Sequence, residues 1–413
     1  MRRVMDREGS EGDRESQTGE SKMRMVSGKT EEIEYSKIRK MFNAALACKD
    51  PISFTVGEPD FTAAVHIVRA GCDAAQEGHT KYSANAGILQ LREAISAYLK
   101  QQIGLEYDPE REVTVTTGAM SALYQGLKVI LDPGDEVIVN EPCWTNYIQQ
   151  IKMSYGIPVS VACSPERGFE PDPEEIRRAV TPKTKAIIIN SPCNPTGAVL
   201  SKEVLEQIAA IAVERDLLVI SDEVYKHILF DDAAFVSIAT FPGMKERTLV
   251  VDSFSKTFAM TGFRVGYAAG PEEWVKNITK LQENISACVA MPSQYAAIAA
   301  LEGGFEFVEK MVSEYKMRRD YIYERMQRMP LIRYQKAGGT FYAFCDIRGT
   351  GMSADRFAMD LLKEMNVVVV PGDAFGEYGE GFIRISFATS LEQIQKGMDL
   401  LERFLRKIET GTK

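Results

Sequence analysis

The chain has 413 residues, 45% of them apolar and 26% charged, with a net charge of −9 at neutral pH. That length permits a large core and predicts two domains, while the apolar content excludes wholesale disorder. The acidic balance gives no general pull toward nucleic acid or an anionic membrane, and no apolar run approaches the roughly 18 residues needed to span a bilayer.

Residues 1–30 are polar, mixed in charge and rich in Ser and Gly, which predicts a mobile tail. The N-terminus lacks a signal-peptide apolar core and carries several acids, so a cytoplasmic protein is the simplest reading. From residue 66 to 299 the pattern alternates strand and helix. Candidate strands are Val113–Thr117, Glu136–Asn140, Pro158–Ala162, Ala186–Asn190, Leu217–Ser221, Thr248–Asp252 and Val265–Ala269. Helical spacing covers Ile88–Ile103, Ala119–Leu131, Ser201–Asp216 and Glu272–Ser286. Short apolar strands separated by helices predict an α/β domain with a mostly parallel sheet. From about 300 the order changes. A charged helix (Glu306–Met329) precedes a strand in Gly338–Phe344, a helix (Ala354–Glu364), the apolar run Val367–Val370, an alternating strand around Arg384 and a last helix (Leu391–Ile408). This suits a smaller α+β domain over 300–413.

Several polar residues stand where these strands end. Lys256 lies in Ser253-Phe254-Ser255-Lys256, just past an apolar strand, with Arg264 a few residues on. Two hydroxyls and a guanidinium suit a bound phosphate, and a lysine beside a phosphate suggests a Schiff base to pyridoxal phosphate. Asp222 ends another apolar run, where a carboxylate can equally cap the next helix. Gly118 turns the chain from a strand into the Ala119–Leu131 helix, whose N-terminus presents free N–H groups. Asn194 sits in the rigid turn Ser191-Pro192-Cys193-Asn194-Pro195-Thr196-Gly197, and Trp144 follows Glu141-Pro142-Cys143. The seven cysteines form no Cys-x-x-Cys pair, and His66, His79 and His227 show no ligand spacing, so no metal is expected.

Together with Val56-Gly57-Glu58-Pro59-Asp60-Phe61, Tyr82 with Asn85-Ala86-Gly87, Ser221-Asp222-Glu223-Val224-Tyr225 and Arg384, these segments resemble a fold-type I pyridoxal-phosphate enzyme of the class I and II aminotransferase family. The resemblance runs from about 35 to 405 and implies that residues 31–65 join the smaller domain of 300–413. It implies a seven-stranded, mostly parallel sheet in the large domain and pyridoxal 5′-phosphate as cofactor. It makes Lys256 the Schiff-base lysine, Asp222 the partner of the pyridine nitrogen, and Tyr225 and Asn194 donors to the phenolic oxygen. Gly118, Ala119, Met120, Ser253, Ser255 and Arg264 would hold the phosphate, and Trp144 would stack on the ring. Arg384 would clamp the substrate α-carboxylate, helped by Gly57 and Asn194. Tyr82 would reach the phosphate of a neighbouring subunit, which makes a homodimer part of the expectation.

The activity this implies is amino-group transfer from an L-amino acid to a 2-oxo acid, most commonly 2-oxoglutarate, with ping-pong kinetics. In some relatives that use acidic substrates a lysine follows the phosphate-loop glycine. Met120 stands there instead, so the donor stays open among alanine, aromatic, aspartate and other amino acids. A carbon–sulfur β-lyase on the same scaffold is the near alternative. A cofactor-sensing regulator is the remote one, because the N-terminal tail is too short to form a DNA-binding domain.

Overall fold

A computed structural model describes residues 25–411. The tail expected over 1–30 lies for the most part outside them; within it, Gly28–Glu31 forms one helical turn capped by the Ser27 hydroxyl. The centre of the molecule is a seven-stranded sheet. Its spatial order is Val113–Thr116, Gly266–Ala269, Thr248–Ser253, Leu218–Asp222, Thr184–Asn190, Glu136–Glu141 and Ile157–Ala162. Only Gly266–Ala269 runs antiparallel to its neighbours. The middle strands read as unbroken apolar runs because both faces are covered. Ile187, Ile188, Val219, Ile220, Val250 and Val251 are at most 2% exposed. Truncating one such isoleucine to alanine costs about 2–5 kcal/mol, since the close-packed surroundings fill the hole only partly.

Helices form both outer layers. Ala119–Ile130 and Glu272–Ile285 pack Leu123, Leu127 and Ile278 on one face. Lys202–Glu214 packs Leu205, Ile208 and Ile211 on the other, and its N-terminus is fixed by the Ser201 hydroxyl accepting from Val204 N–H. Beside this sheet stands a four-stranded antiparallel one, ordered Val370–Pro371, Phe382–Ser386, Tyr342–Asp346 and Arg333–Tyr334. It shares one apolar cluster with the helices Glu306–Met326, Ala354–Met365 and Leu391–Thr410, through residues such as Met311, Phe357, Ile383 and Phe404. The N-terminal helix Lys37–Leu46 and the short strand Ile52–Ser53 join the same cluster through Met41 and Phe54.

One detail extends the sequence reading and another departs from it. The run Val367–Val370 is not one strand. Val367–Val368 pairs with Ile52–Ser53, and Val370–Pro371 pairs with Phe382–Ser386. The alternation around Arg384 does not leave a solvent face either: all five residues of Phe382–Ser386 are buried. Among the described residues, no helix is long and apolar enough to cross a membrane.

Candidate active site

The parallel strands end on one edge, and a cavity of about 750 Å³ opens there, the place where open α/β sheets bind ligands. Of the residues singled out in the sequence, Gly57, Ala119, Met120, Trp144, Asn194, Asp222, Tyr225, Ser253, Ser255, Lys256, Arg264 and Arg384 all line it. Gly118 and Tyr82 do not. Gly118 lies just behind the wall, at φ +75°, and a Cβ there would stand 2.7 Å from Arg264 Nη2. The positive φ is why the position favours a glycine, and the arginine's close approach adds to it. Tyr82 is 89% exposed and lies outside the cavity lining.

Lys256 sits in the single helical turn Phe254–Thr257, which begins where the Thr248–Ser253 strand stops. The Ser253 hydroxyl caps that turn by accepting from Ser255 N–H at 3.3 Å. The Lys256 Nζ donates to the Gly57 carbonyl at 2.5 Å, and burial holds its pKa down to about 8. Gly57 therefore meets the lysine with its carbonyl oxygen. A lysine of lowered pKa is a usable nucleophile and base near neutral pH.

Asp222 is the last residue of the Leu218–Asp222 strand and is 3% exposed. Its Oδ2 accepts from the Tyr147 hydroxyl at 2.5 Å, and its Oδ1 accepts from Val224 N–H at 3.3 Å. Burial raises its pKa to about 6. A carboxylate so placed seeks a cation or a protonated ring nitrogen.

Arg384, 2% exposed, is held from two sides. Its Nη1 donates to Asn194 Oδ1 at 3.0 Å and its Nη2 to the Thr55 carbonyl at 2.8 Å. The guanidinium lies over Tyr342, 4.3 Å from the ring centroid, and its Nε has no protein partner. The Tyr225 and Tyr342 hydroxyls are 3.0 Å apart. Trp144 packs edge-on against Tyr147 and is half-buried. The Ala119–Ile130 helix points its N-terminus at the cavity, where first-turn N–H groups lack intrahelical acceptors. With Arg264 and the two serines this corner can hold a phosphate. Among the described residues no cluster of His, Cys, Asp or Glu could hold a metal ion.

Sequence reasoning missed four contributors. Tyr147 anchors Asp222, Tyr342 supports both Tyr225 and Arg384, and the Thr55 carbonyl holds Arg384. Asn190 donates to the Asp222 carbonyl and accepts from Asn194 N–H, both at 3.0 Å. Of these only Asn190 carried a signal, as a polar residue closing an apolar strand. The wall formed by Ser36, Ile38, Arg39 and Phe42, at the start of the Lys37–Leu46 helix, was also not foreseen.

The family model for aminotransferases of class I and II matches residues 49–401. An aspartate aminotransferase of Pyrococcus abyssi is 44% identical, covering 92% of this chain and 98% of the relative. The aromatic-amino-acid aminotransferase 2 of Thermococcus litoralis is 41% identical with the same two coverages. The structure of Thermus thermophilus aspartate aminotransferase with maleate superposes with a TM-score of 0.89 at 39% identity, over 93% of this chain and all of that one.

Proposed function

The chain belongs to the class I and II aminotransferase family and is an aminotransferase; from that premise we propose that it uses pyridoxal 5′-phosphate, bonded through Lys256, to pass an amino group from an L-amino acid to 2-oxoglutarate. The observation that carries the reading is one cavity holding an amine of lowered pKa, a buried carboxylate and a buried guanidinium with a free Nε.

The donor set fits the cofactor. Ser253, Ser255, Arg264 and the start of the Ala119–Ile130 helix suit its phosphate, and the glycine at 118 leaves room that a Cβ would fill. Asp222 suits its ring nitrogen, Tyr225 and Asn194 its phenolic oxygen, and Trp144 its face. When bound, the cofactor supplies an aldehyde carbon for amine exchange and a ring that accepts electrons from the substrate α-carbon.

The chain's own residues do the rest. Lys256 is placed to take the proton from the substrate α-carbon and would return it to the cofactor's former aldehyde carbon, on the far side of the nitrogen being transferred, a transfer its lowered pKa suits. Asp222 keeps a proton on the ring nitrogen by staying ionised beside it. Tyr147, by donating to Asp222, fixes that carboxylate in place. Arg384, which lines the cavity and is already oriented by Asn194 and Thr55, grips the α-carboxylate through its guanidinium. Trp144 excludes water from one side. For the side chain of the donor, Ile38 and Phe42 offer apolar surface and Arg39 a cation. That wall suits both donor classes in the relatives' names, aspartate and aromatic amino acids.

The test is a half-reaction. Protein loaded with pyridoxal phosphate is given single amino acids with no oxo acid present. The expected result is conversion of the cofactor's absorbance band to that of the pyridoxamine form, with release of the matching 2-oxo acid. Addition of 2-oxoglutarate should restore the starting spectrum. Steady release of ammonia and pyruvate without acceptor would instead identify a lyase.

A further inference from the structure

Behind the cavity lies a buried ion cluster that the reaction above does not use. Successive residues of extended backbone point to opposite faces of a sheet. In the Thr248–Ser253 strand Ser253 lines the cavity and Asp252 does not; Asp222, which ends the Leu218–Asp222 strand, and Tyr225 line it too, while Glu223 and Lys226 in the turn that follows do not. The Lys226 ammonium is 2.7 Å from Asp252 Oδ2 and 3.9 Å from Glu223 Oε2, with each side chain at most 4% exposed. The Tyr267 hydroxyl donates to the same Asp252 oxygen at 3.0 Å and accepts from Lys226 at 3.4 Å. Glu223 Oε1 accepts from the Ser221 and Ser237 hydroxyls at 3.0 and 2.5 Å. Asp252 Oδ1 accepts from the Ser253 N–H at 2.6 Å, and Ser253 opens the turn that carries Lys256.

Stability is a poor account of such a cluster, because apolar replacements of buried ion groups often hold a fold together as well or better. What the cluster supplies is position. Lys226 follows the Leu218–Asp222 strand, Asp252 belongs to the Thr248–Ser253 strand, and Tyr267 to Gly266–Ala269, so one ammonium joins three adjacent strands at the edge where the cavity opens. Burial works against the Lys226 charge, and the Asp252 and Glu223 carboxyls outweigh it, leaving its pKa raised.

We propose that Lys226 is a positioning residue for the cofactor site: from the far face of the sheet it ties the segment of Asp222 and Tyr225 to the strand end that opens into Ser253, Ser255 and Lys256. It thereby holds the ring-nitrogen acceptor and the amine in fixed relation, and it rests on the cofactor reading given above.

The test pairs two measurements on Lys226→Met and wild type. One is equilibrium affinity for pyridoxal phosphate. The other, made without cofactor, is amide hydrogen exchange across residues 222–226 and 253–257. Lys226→Met is expected to weaken cofactor binding about tenfold and to speed exchange in both segments by a similar factor, leaving the Leu391–Thr410 helix unchanged. Lys226→Arg, which keeps the charge, should recover part of both. Tyr267→Phe leaves no charge unpaired and serves if Lys226→Met does not fold; it should move both readouts the same way, by about threefold. Wild-type affinity and exchange in the variants that fold would overturn the proposal while leaving the cofactor reading intact. Wild-type protein that binds no pyridoxal phosphate would overturn both.

Discussion

Asp222 shows how far a single residue's chemistry follows from its place. It closes an apolar strand, so its carboxyl is buried, and burial raises its pKa from 3.8 to about 6 in the cofactor-free protein. Between those values the folded protein keeps a proton that the unfolded chain has lost. Stability from this group is therefore fully present below pH 4, falls as pH rises toward 6 and is flat above, a loss of about 3 kcal/mol. Asp222→Asn should abolish that slope, read from urea unfolding of both cofactor-free proteins between pH 4 and 7. Equal slopes in the two would place the effect on another group. A ring nitrogen bound beside the carboxylate favours its charged form, so cofactor-loaded wild type should not show the loss. Arg384 invites a similar test. A lysine cannot reproduce a two-point guanidinium grip, and Arg384→Lys should raise KM about 10- to 100-fold for every donor. An increase confined to one donor would mean that the guanidinium reads a side chain. Both residues were legible because each is a charge set in an apolar strand. Tyr147 and Tyr342 were not, because a tyrosine in a helix or strand packs for many reasons, and only the fold brings their hydroxyls to Asp222 and Tyr225.

At the scale of elements, the sequence located what periodicity controls. All seven strands of the large sheet fall within two residues of their expected bounds, because buried parallel strands are uniformly apolar and end abruptly. The helix Met291–Glu302 was missed: it is buried on several sides, so its apolar residues show no single face. Val367–Val370 was legible only as an apolar run, because a run that is apolar throughout does not say which of two sheets each half joins. The turn at Gly118 joins a strand to the helix that faces the phosphate corner, and its conformation is set by a positive φ. Gly118→Ala should cost about 1–3 kcal/mol of backbone strain and press on Arg264 as well. The expected outcome is cofactor affinity lowered about tenfold with amino-acid KM at saturating cofactor little changed. Unchanged affinity would mean that Arg264 can move aside and that the helix N-terminus alone carries the phosphate.

The whole molecule poses the remaining question, whether one chain makes a complete site. Met120 and Arg264 line the cavity yet stand exposed, and Tyr82 is exposed without reaching it. These facts agree with a dimer in which Tyr82 serves the partner's phosphate, and mixing experiments decide it. Tyr82→Ala should weaken cofactor binding about tenfold, the worth of one hydrogen bond to a charged group. Lys256→Ala should be inactive. If sites are shared, a heterodimer of the two variants holds one site with Lys256 from one chain and Tyr82 from the other, both intact. At cofactor concentrations too low to load the Tyr82→Ala protein, mixing the two after subunit exchange should therefore restore activity above that of either alone. The other site of the heterodimer lacks both groups and stays silent, so recovery approaches half of wild type per heterodimer. If Tyr82 acts within its own chain, or not at all, every Lys256-bearing site in the mixture still carries the Tyr82→Ala defect, and mixing gains nothing.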